Sequence, residues 1–177
     1  GVRWSRIDWE NRTVLLDTKI IEERVDGETV LHAIEEMKNK SSRRTLPIPE
    51  PVFEMLETIR AKQELNRKLF RGSYNREWSD YVCTDELGNL LRPNYVTEHY
   101  RYLLGKLGLR RIRYHDLRHT FASVLLNKEV PLINVSNFLG HSNISTTANI
   151  YAHLDYASKL SSAQAMLEGL GYGNASA

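Results

Sequence analysis

Tyr114-His115-Asp116-Leu117-Arg118-His119-Thr120-Phe121-Ala122-Ser123, then Leu139-Gly140-His141-Ser142-Asn143-Ile144-Ser145-Thr146-Thr147 and Ile150-Tyr151-Ala152-His153, are the stretches that decide how this 177-residue sequence is read. The first predicts a helix over residues 116–127, with Leu117, Phe121, Val124 and Leu125 on one face. A short helix over 132–139 follows, bounded by Pro131 and Gly140. Ser145-Thr146-Thr147 can cap a third helix that carries Ile150 and Tyr151. At positions i and i+3, His115 and Arg118 share a helix face. An arginine fork binds two phosphate oxygens at once, and a histidine titrates near neutrality, so the pair suits a phosphate gaining charge. The turn at Gly140 lets His141 project from a loop. A phenol is a poor nucleophile unless cations stabilise its anion, and Arg118 and His141 are the candidates to do so for Tyr151.

Each feature alone also has a plain structural reading. A His-x-x-Arg pair can be a polar helix start, and a lone Tyr a half-buried packing residue. His115 and His119 have the i, i+4 spacing of a zinc pair, but no Glu follows His115 and no third ligand recurs nearby. No metal or other cofactor is expected.

Upstream, the pattern changes. Residues 13–21 and 30–37 are β-rich runs, and Val25-Asp26-Gly27-Glu28 between them carries an Asp-Gly turn signal, so a hairpin is expected. A third strand over 44–48 follows the polar turn Lys38-Asn39-Lys40-Ser41-Ser42, making one small antiparallel sheet. Pro51 opens a helix that runs to about Arg71, with Val52, Met55, Leu56, Ile59, Leu65 and Leu69 near helical spacing. After a polar connection over 72–79 come a brief strand over 81–84, a turn over 86–89 and a helix over 94–107 that Gly108 ends. A last amphipathic helix is expected over 157–170, and 171–177 reads as a disordered tail. The fold class is therefore mainly α with a small antiparallel β-sheet, in one domain.

With 41% hydrophobic and 26% charged residues the composition is that of an ordinary globular protein. No run of about 18 apolar residues exists, which excludes a transmembrane helix and leaves no membrane partner. Neither an initiator Met nor a signal-peptide layout opens the chain, which reads as a cut inside a longer protein. Cys83, the one cysteine, reads as a small core residue in a cytoplasmic protein. The net charge of +2 names no partner, but its distribution does. Lys38, Lys40, Arg43 and Arg44 cluster without an acid, and Arg101, Lys106, Arg110, Arg111, Arg113 and Arg118 face Asp116 alone. Two such segments suggest a face for a polyanion, although solvated surface charge is the ordinary reading.

Taken together, His115-x-x-Arg118, Leu139-Gly140-His141 and Tyr151 ten residues further resemble the tyrosine recombinase (phage integrase) family. Val2-Arg3-Trp4-Ser5-Arg6-Ile7-Asp8 is similar to the segment after that family's first catalytic arginine, with Arg6 where the family often has Asp. The stretch from Met37 to Pro47 is similar to its β-hairpin lysine motif, and the resemblance covers about residues 2–170.

The resemblance implies a catalytic domain, residues 1–170, that lacks its start, and a metal-free transesterification of double-stranded DNA. Tyr151 would attack the scissile phosphate, leaving a 3′-phosphotyrosyl link and a free 5′-hydroxyl. Arg118 would hold the non-bridging oxygens, His115 would act as general base and acid, and His141 would donate to a phosphate oxygen. Lys38, or Lys40 in the same turn, would protonate the leaving oxygen. Arg43, Arg44, Arg110, Arg111 and Arg113 are the further DNA-binding candidates. Helix 157–170 is the candidate for packing against another protomer on DNA. The first catalytic arginine would lie about half a dozen residues before Gly1, and Arg3, beside Trp4, is a poor substitute; the chain alone is expected to cleave little or not at all. Two competing readings remain: a non-catalytic DNA-binding module, from the helix–turn–helix look of 131–151, and a protein-interaction fragment resting on the last helix.

Overall fold

Asp26 and Gly27 both take positive φ, 51° and 86°, the backbone a tight two-residue hairpin turn requires. They join β3 (Lys19–Val25) to β4 (Glu28–Ile34), antiparallel with Val25 opposite Glu28 and Lys19 opposite Ile34. The hairpin is as expected, but its first strand is not. The run 13–21 breaks at Asp17 and Thr18 into β2 (Thr13–Leu16) and β3. Asp17 is buried, ion-paired to Arg3 Nη2 at 3.2 Å and to Arg6 Nε at 2.8 Å. Here the chain changes partner strands, so two sheets form instead of one.

The second sheet has the order β1-β2-β5, with β1 at Ile7–Asp8 and β5 at Arg44–Pro47. Leu46 pairs with Val14, so β5 joins β2 rather than the hairpin. The structure is a computed structural model that describes residues 1–35, 43–151 and 166. Residues 36–42, with Lys38 and Lys40, and the helix expected over 157–170, Met166 apart, lie outside the described residues. So does the tail.

The chain divides into two units, Gly1–Tyr114 and His115–Ala177. In the first, the sheet β1-β2-β5 meets α1 (Glu50–Phe70) around Ile7, Ile48, Phe53, Leu56 and Val82. Trp9 closes this core edge-on to Phe53, 5.3 Å between ring centroids, and Arg60 lies 4.9 Å over the Trp9 ring. The inward stripe of α1 is Phe53, Leu56 and Gln63, whereas Val52, Met55, Leu65 and Leu69 are exposed. Gln63 tolerates burial because every polar atom is used. Its Oε1 accepts from Trp4 Nε1 (2.8 Å), and its Nε2 donates to Val82 O (2.9 Å) and Thr84 Oγ1 (2.8 Å).

Residues 81–84 make isolated bridges, Arg3 to Tyr81 and Thr84 to Leu90, rather than a strand. Tyr81 and Val82 point inward and Cys83 is exposed, so the cysteine is not a core residue. Helix α2 (Pro93–Lys106) starts on a carboxylate from the hairpin: Glu22 accepts from Asn94 N (2.8 Å) and Asn94 Nδ2 (3.1 Å). It satisfies an otherwise orphaned donor and places negative charge at the positive end of the helix dipole.

The second unit contains α3 (Asp116–Asn127), α4 (Leu132–Leu139) and α5 (Ile144–Tyr151), packed on one another. Ala122, Leu126, Val135 and Leu139 form its core, and Ala122 and Val135 have no exposed surface. Burying a Val or Leu side chain is worth about 1.5–3 kcal/mol. The inward face of α3 therefore lies beside the expected one: Leu117, Phe121 and Val124 are exposed. Asn143, rather than Ser145, caps α5, its Oδ1 accepting from Ser145 N at 2.9 Å. Thr147 lies a turn further on, fully buried.

Candidate active site

Gly140 sets the geometry. At φ 69° it ends α4 in the left-handed region, which glycine enters without a steric penalty, and His141 N donates back to Ser136 O at 3.0 Å. The chain then leaves the helix with the His141 ring facing α3 and α5. Arg118, in the first turn of α3, donates through Nε to His141 Nε2 (2.9 Å) and through Nη2 to the Leu139 carbonyl (2.7 Å). On the far side of the ring, His141 Nδ1 lies 2.7 Å from Thr147 Oγ1. Three helices thus converge on one imidazole–guanidinium pair.

Two of the five N–H donors of Arg118 are committed to His141 and Leu139, and both contacts lie on the Nε–Nη2 side. The guanidinium is half-buried, and desolvation lowers its pKa from the ordinary arginine value. It stays charged at neutral pH, because an arginine does not lose its proton in a protein. Fixed in orientation and with Nη1 uncommitted among the described residues, this cation is prepared to receive an oxyanion.

His115 sits at the start of α3, exposed, with its carbonyl accepting from Arg118 N at 3.0 Å. Its ring meets His119 edge-to-face, 5.1 Å between centroids. Helix α5 carries Tyr151, whose side chain lies outside what the structure describes, as do Lys38 and Lys40. The structure therefore joins Arg118 to His141, and adds two partners not foreseen in the sequence, the Leu139 carbonyl and Thr147. Thr147 was legible only as a capping residue; a hydroxyl six positions beyond a histidine gives no further signal.

Of the basic candidates, Arg110, Arg111 and Arg113 are exposed on the connection after α2, in the first unit. Arg43 is exposed just before β5, and Arg44 begins that strand. Arg3 is otherwise engaged, with Nη1 2.5 Å from Glu35 and Nη2 on Asp17. Among the described residues no group of three or more His, Cys, Asp or Glu is placed to hold a metal ion, and no helix is long and apolar enough to cross a membrane.

The unit with the small antiparallel sheets and the helical unit around the Arg–His pair together match the fold of integrase catalytic domains. The chain matches the Tn1549 transposon integrase solved in complex with circular intermediate DNA at a TM-score of 0.71 and 23% identity, over 96% of this chain and 53% of that one. The XerA recombinase matches at a TM-score of 0.59 and 19% identity, over 90% of this chain and 48% of that one. The sequence profile of the phage integrase family matches residues 1–158, and the chain belongs to that family. A tyrosine recombinase XerC-like protein of Caldanaerobacter subterraneus subsp. tengcongensis is 38% identical over 162 residues, 87% of this chain and 41% of that protein. The transposase from transposon Tn916 of Enterococcus faecalis is 27% identical over 166 residues, 90% of this chain and 39% of that protein. The chain thus spans about two-fifths of the length of these curated relatives.

Proposed function

We propose that this chain is the catalytic part of a site-specific DNA recombinase or integrase, with residues 1–170 as the catalytic domain. The observation that carries the reading is the Arg118 guanidinium, held by His141 and the Leu139 carbonyl with its Nη1 side uncommitted among the described residues. It lies in the same unit as the helix that carries Tyr151. Membership of the phage integrase family supports it.

In this reading the Tyr151 phenol oxygen attacks the scissile phosphorus and the bond to the 5′-oxygen breaks. His115 takes the phenol proton, and Lys38, with Lys40 as the alternative, gives a proton to the leaving 5′-oxygen, which becomes a hydroxyl. Arg118 stabilises the charge that develops on the non-bridging oxygens. For His141 to donate to a phosphate oxygen through Nε2, that nitrogen must gain a proton and give up the Arg118 Nε–H. The ester to Tyr151 conserves the bond energy, so a second 5′-hydroxyl can rejoin the strand by the reverse attack, with no metal or ATP. Arg43, Arg44, Arg110, Arg111 and Arg113 contact the phosphate backbone of double-stranded DNA. Further protomers assemble on that DNA through residues 157–170, in the cytoplasm.

The resemblance requires a second catalytic arginine. Arg3 does not supply it, because Asp17 and Glu35 already occupy its guanidinium. The 177-residue chain by itself is accordingly expected to cleave little or no DNA.

The test uses the protein expressed at its full natural length and a nicked suicide DNA duplex. Wild type should trap a covalent complex, and Tyr151→Phe should not. A non-catalytic binding module would shift the duplex with a steep salt dependence and never trap it. Adduct formation by the Phe variant would remove Tyr151 from the nucleophile's role.

A further inference from the structure

The ring of His141 has a partner at each nitrogen, and the chemistry of those partners fixes where its proton lies. Arginine is a donor only, so the Nε2 that faces Arg118 Nε at 2.9 Å must be the accepting nitrogen. The neutral ring therefore carries its proton on Nδ1, 2.7 Å from Thr147 Oγ1. That oxygen belongs to a side chain with no exposed surface, on the α5 helix that carries Tyr151. An N–H facing that buried side chain without an acceptor is costly.

We infer that Thr147 is a positioning residue: its Oγ1 accepts the His141 Nδ1–H, pins the ring from the α5 side with Nε2 toward the Arg118 Nε–H, and so fixes the direction in which Arg118 presents Nη1. The hydroxyl suits both states of the ring that the proposed reaction uses. When Nε2 gains a proton to face a phosphate, Nδ1 still carries its own, and Thr147 still accepts it. Without that acceptor the Arg118 Nε–H still holds Nε2 as the accepting nitrogen, so the proton stays on Nδ1 but is left unpaired. The ring is then no longer pinned from the α5 side, and the guanidinium it positions loses its fixed orientation. The inference rests on the phosphodiester reading of the site for its consequence, though not for the tautomer itself.

The experiment follows the protein at full natural length, with ¹⁵N-labelled histidine, as wild type, Thr147→Val and Thr147→Ser. Long-range ¹H–¹⁵N spectra without DNA, with His141 assigned by its loss in His141→Gln, report the tautomer and the Nδ1–H shift. Wild type and Thr147→Ser should show the proton on Nδ1 with the downfield shift of a hydrogen-bonded N–H; Thr147→Val, nearly the same shape without the hydroxyl, should keep the proton on Nδ1 and lose that downfield shift. Single-turnover trapping on the nicked duplex should slow by roughly 10- to 100-fold in Thr147→Val, the order lost when an orienting partner of a histidine is removed. Thr147→Ser should restore the rate, and DNA affinity should be the same in all three.

A Thr147→Val protein whose His141 Nδ1–H keeps the wild-type shift overturns the inference, as does a wild-type ring with its proton on Nε2. So does a Thr147→Ser protein as slow as Thr147→Val, which would make Thr147 a packing residue only. If no variant and no wild type ever traps DNA, the recombinase reading falls while the spectra still decide the role of Thr147.

Discussion

Replacing Arg118 by Lys keeps the charge and removes the geometry, which makes it the sharpest probe of the site. Arg118 makes two charge-assisted bonds, to His141 Nε2 at 2.9 Å and to Leu139 O at 2.7 Å, and still has Nη1 to offer. A lysine nitrogen cannot take both partners and a phosphate together with the same spacing. Losing one bond to a charged donor costs about 1.5–3 kcal/mol. Losing a pre-aimed donor to a developing oxyanion costs roughly 10²- to 10³-fold in rate. Because orientation and donor are lost together, the two terms overlap, and single-turnover adduct formation should slow by about 10²- to 10³-fold. DNA affinity should change by less than about threefold, with an unchanged salt slope, since the number of phosphates neutralised is the same. The assay is trapping on the nicked duplex at saturating protein, alongside a titration of an intact duplex. A rate within twofold of wild type would refute the reasoning. So would a loss of affinity as large as the loss of rate, which would make Arg118 a binding residue and no more.

The sheet region gives two further predictions. The pKa of Asp17 is lowered: burial, the largest single influence, pushes it up, but hydrogen bonds from Thr18 and Arg3 and the charges of Arg6 and Arg3 outweigh burial. A depressed folded value contributes stability above the unfolded value, about 3.9, and loses it as pH falls through the folded one. Unfolding free energy should therefore drop on acidification below about pH 4. Asp17→Asn should flatten that drop and cost about 3 kcal/mol at neutral pH in urea unfolding, the low end for breaking a buried pair, because Glu35 still balances Arg3. An unaltered acid limb in the Asn variant would contradict this account. Glu22→Ala should speed amide exchange at the start of α2 and cost about 1 kcal/mol; unchanged exchange at Asn94 would show that the cap does not hold the helix.

Local chemistry was legible, and long-range chemistry was not. Asp26-Gly27 announced the hairpin because its φ values are ones few other residue pairs accept. The limits of α4 could be read because Pro131 and Gly140 have few other uses. The split at Asp17 could not be read, since it depends on Arg3 and Arg6 folding back onto a residue inside an apolar run. The inward face of α1 was misplaced because the buried position Gln63 is polar and finds its partners in Trp4, Val82 and Thr84. Cys83 looked internal because its neighbours Tyr81 and Val82 are, but 81–84 is not a regular strand and leaves the cysteine outside. In the site, the residue types of Arg118 and His141 were readable from the motifs. Their direct bond was not: they stand 23 positions apart, and only the turn at Gly140 brings the ring back to α3.

The central claim is that Tyr151 becomes esterified to DNA. The most direct measurement is mass spectrometry of the peptides released from the trapped adduct of the protein at full natural length, after nuclease digestion. The account predicts a nucleotide remnant on the peptide containing Tyr151, joined through a 3′-phosphate, with a free 5′-hydroxyl on the other strand end. A remnant on any other residue, or one joined through a 5′-phosphate, would contradict it.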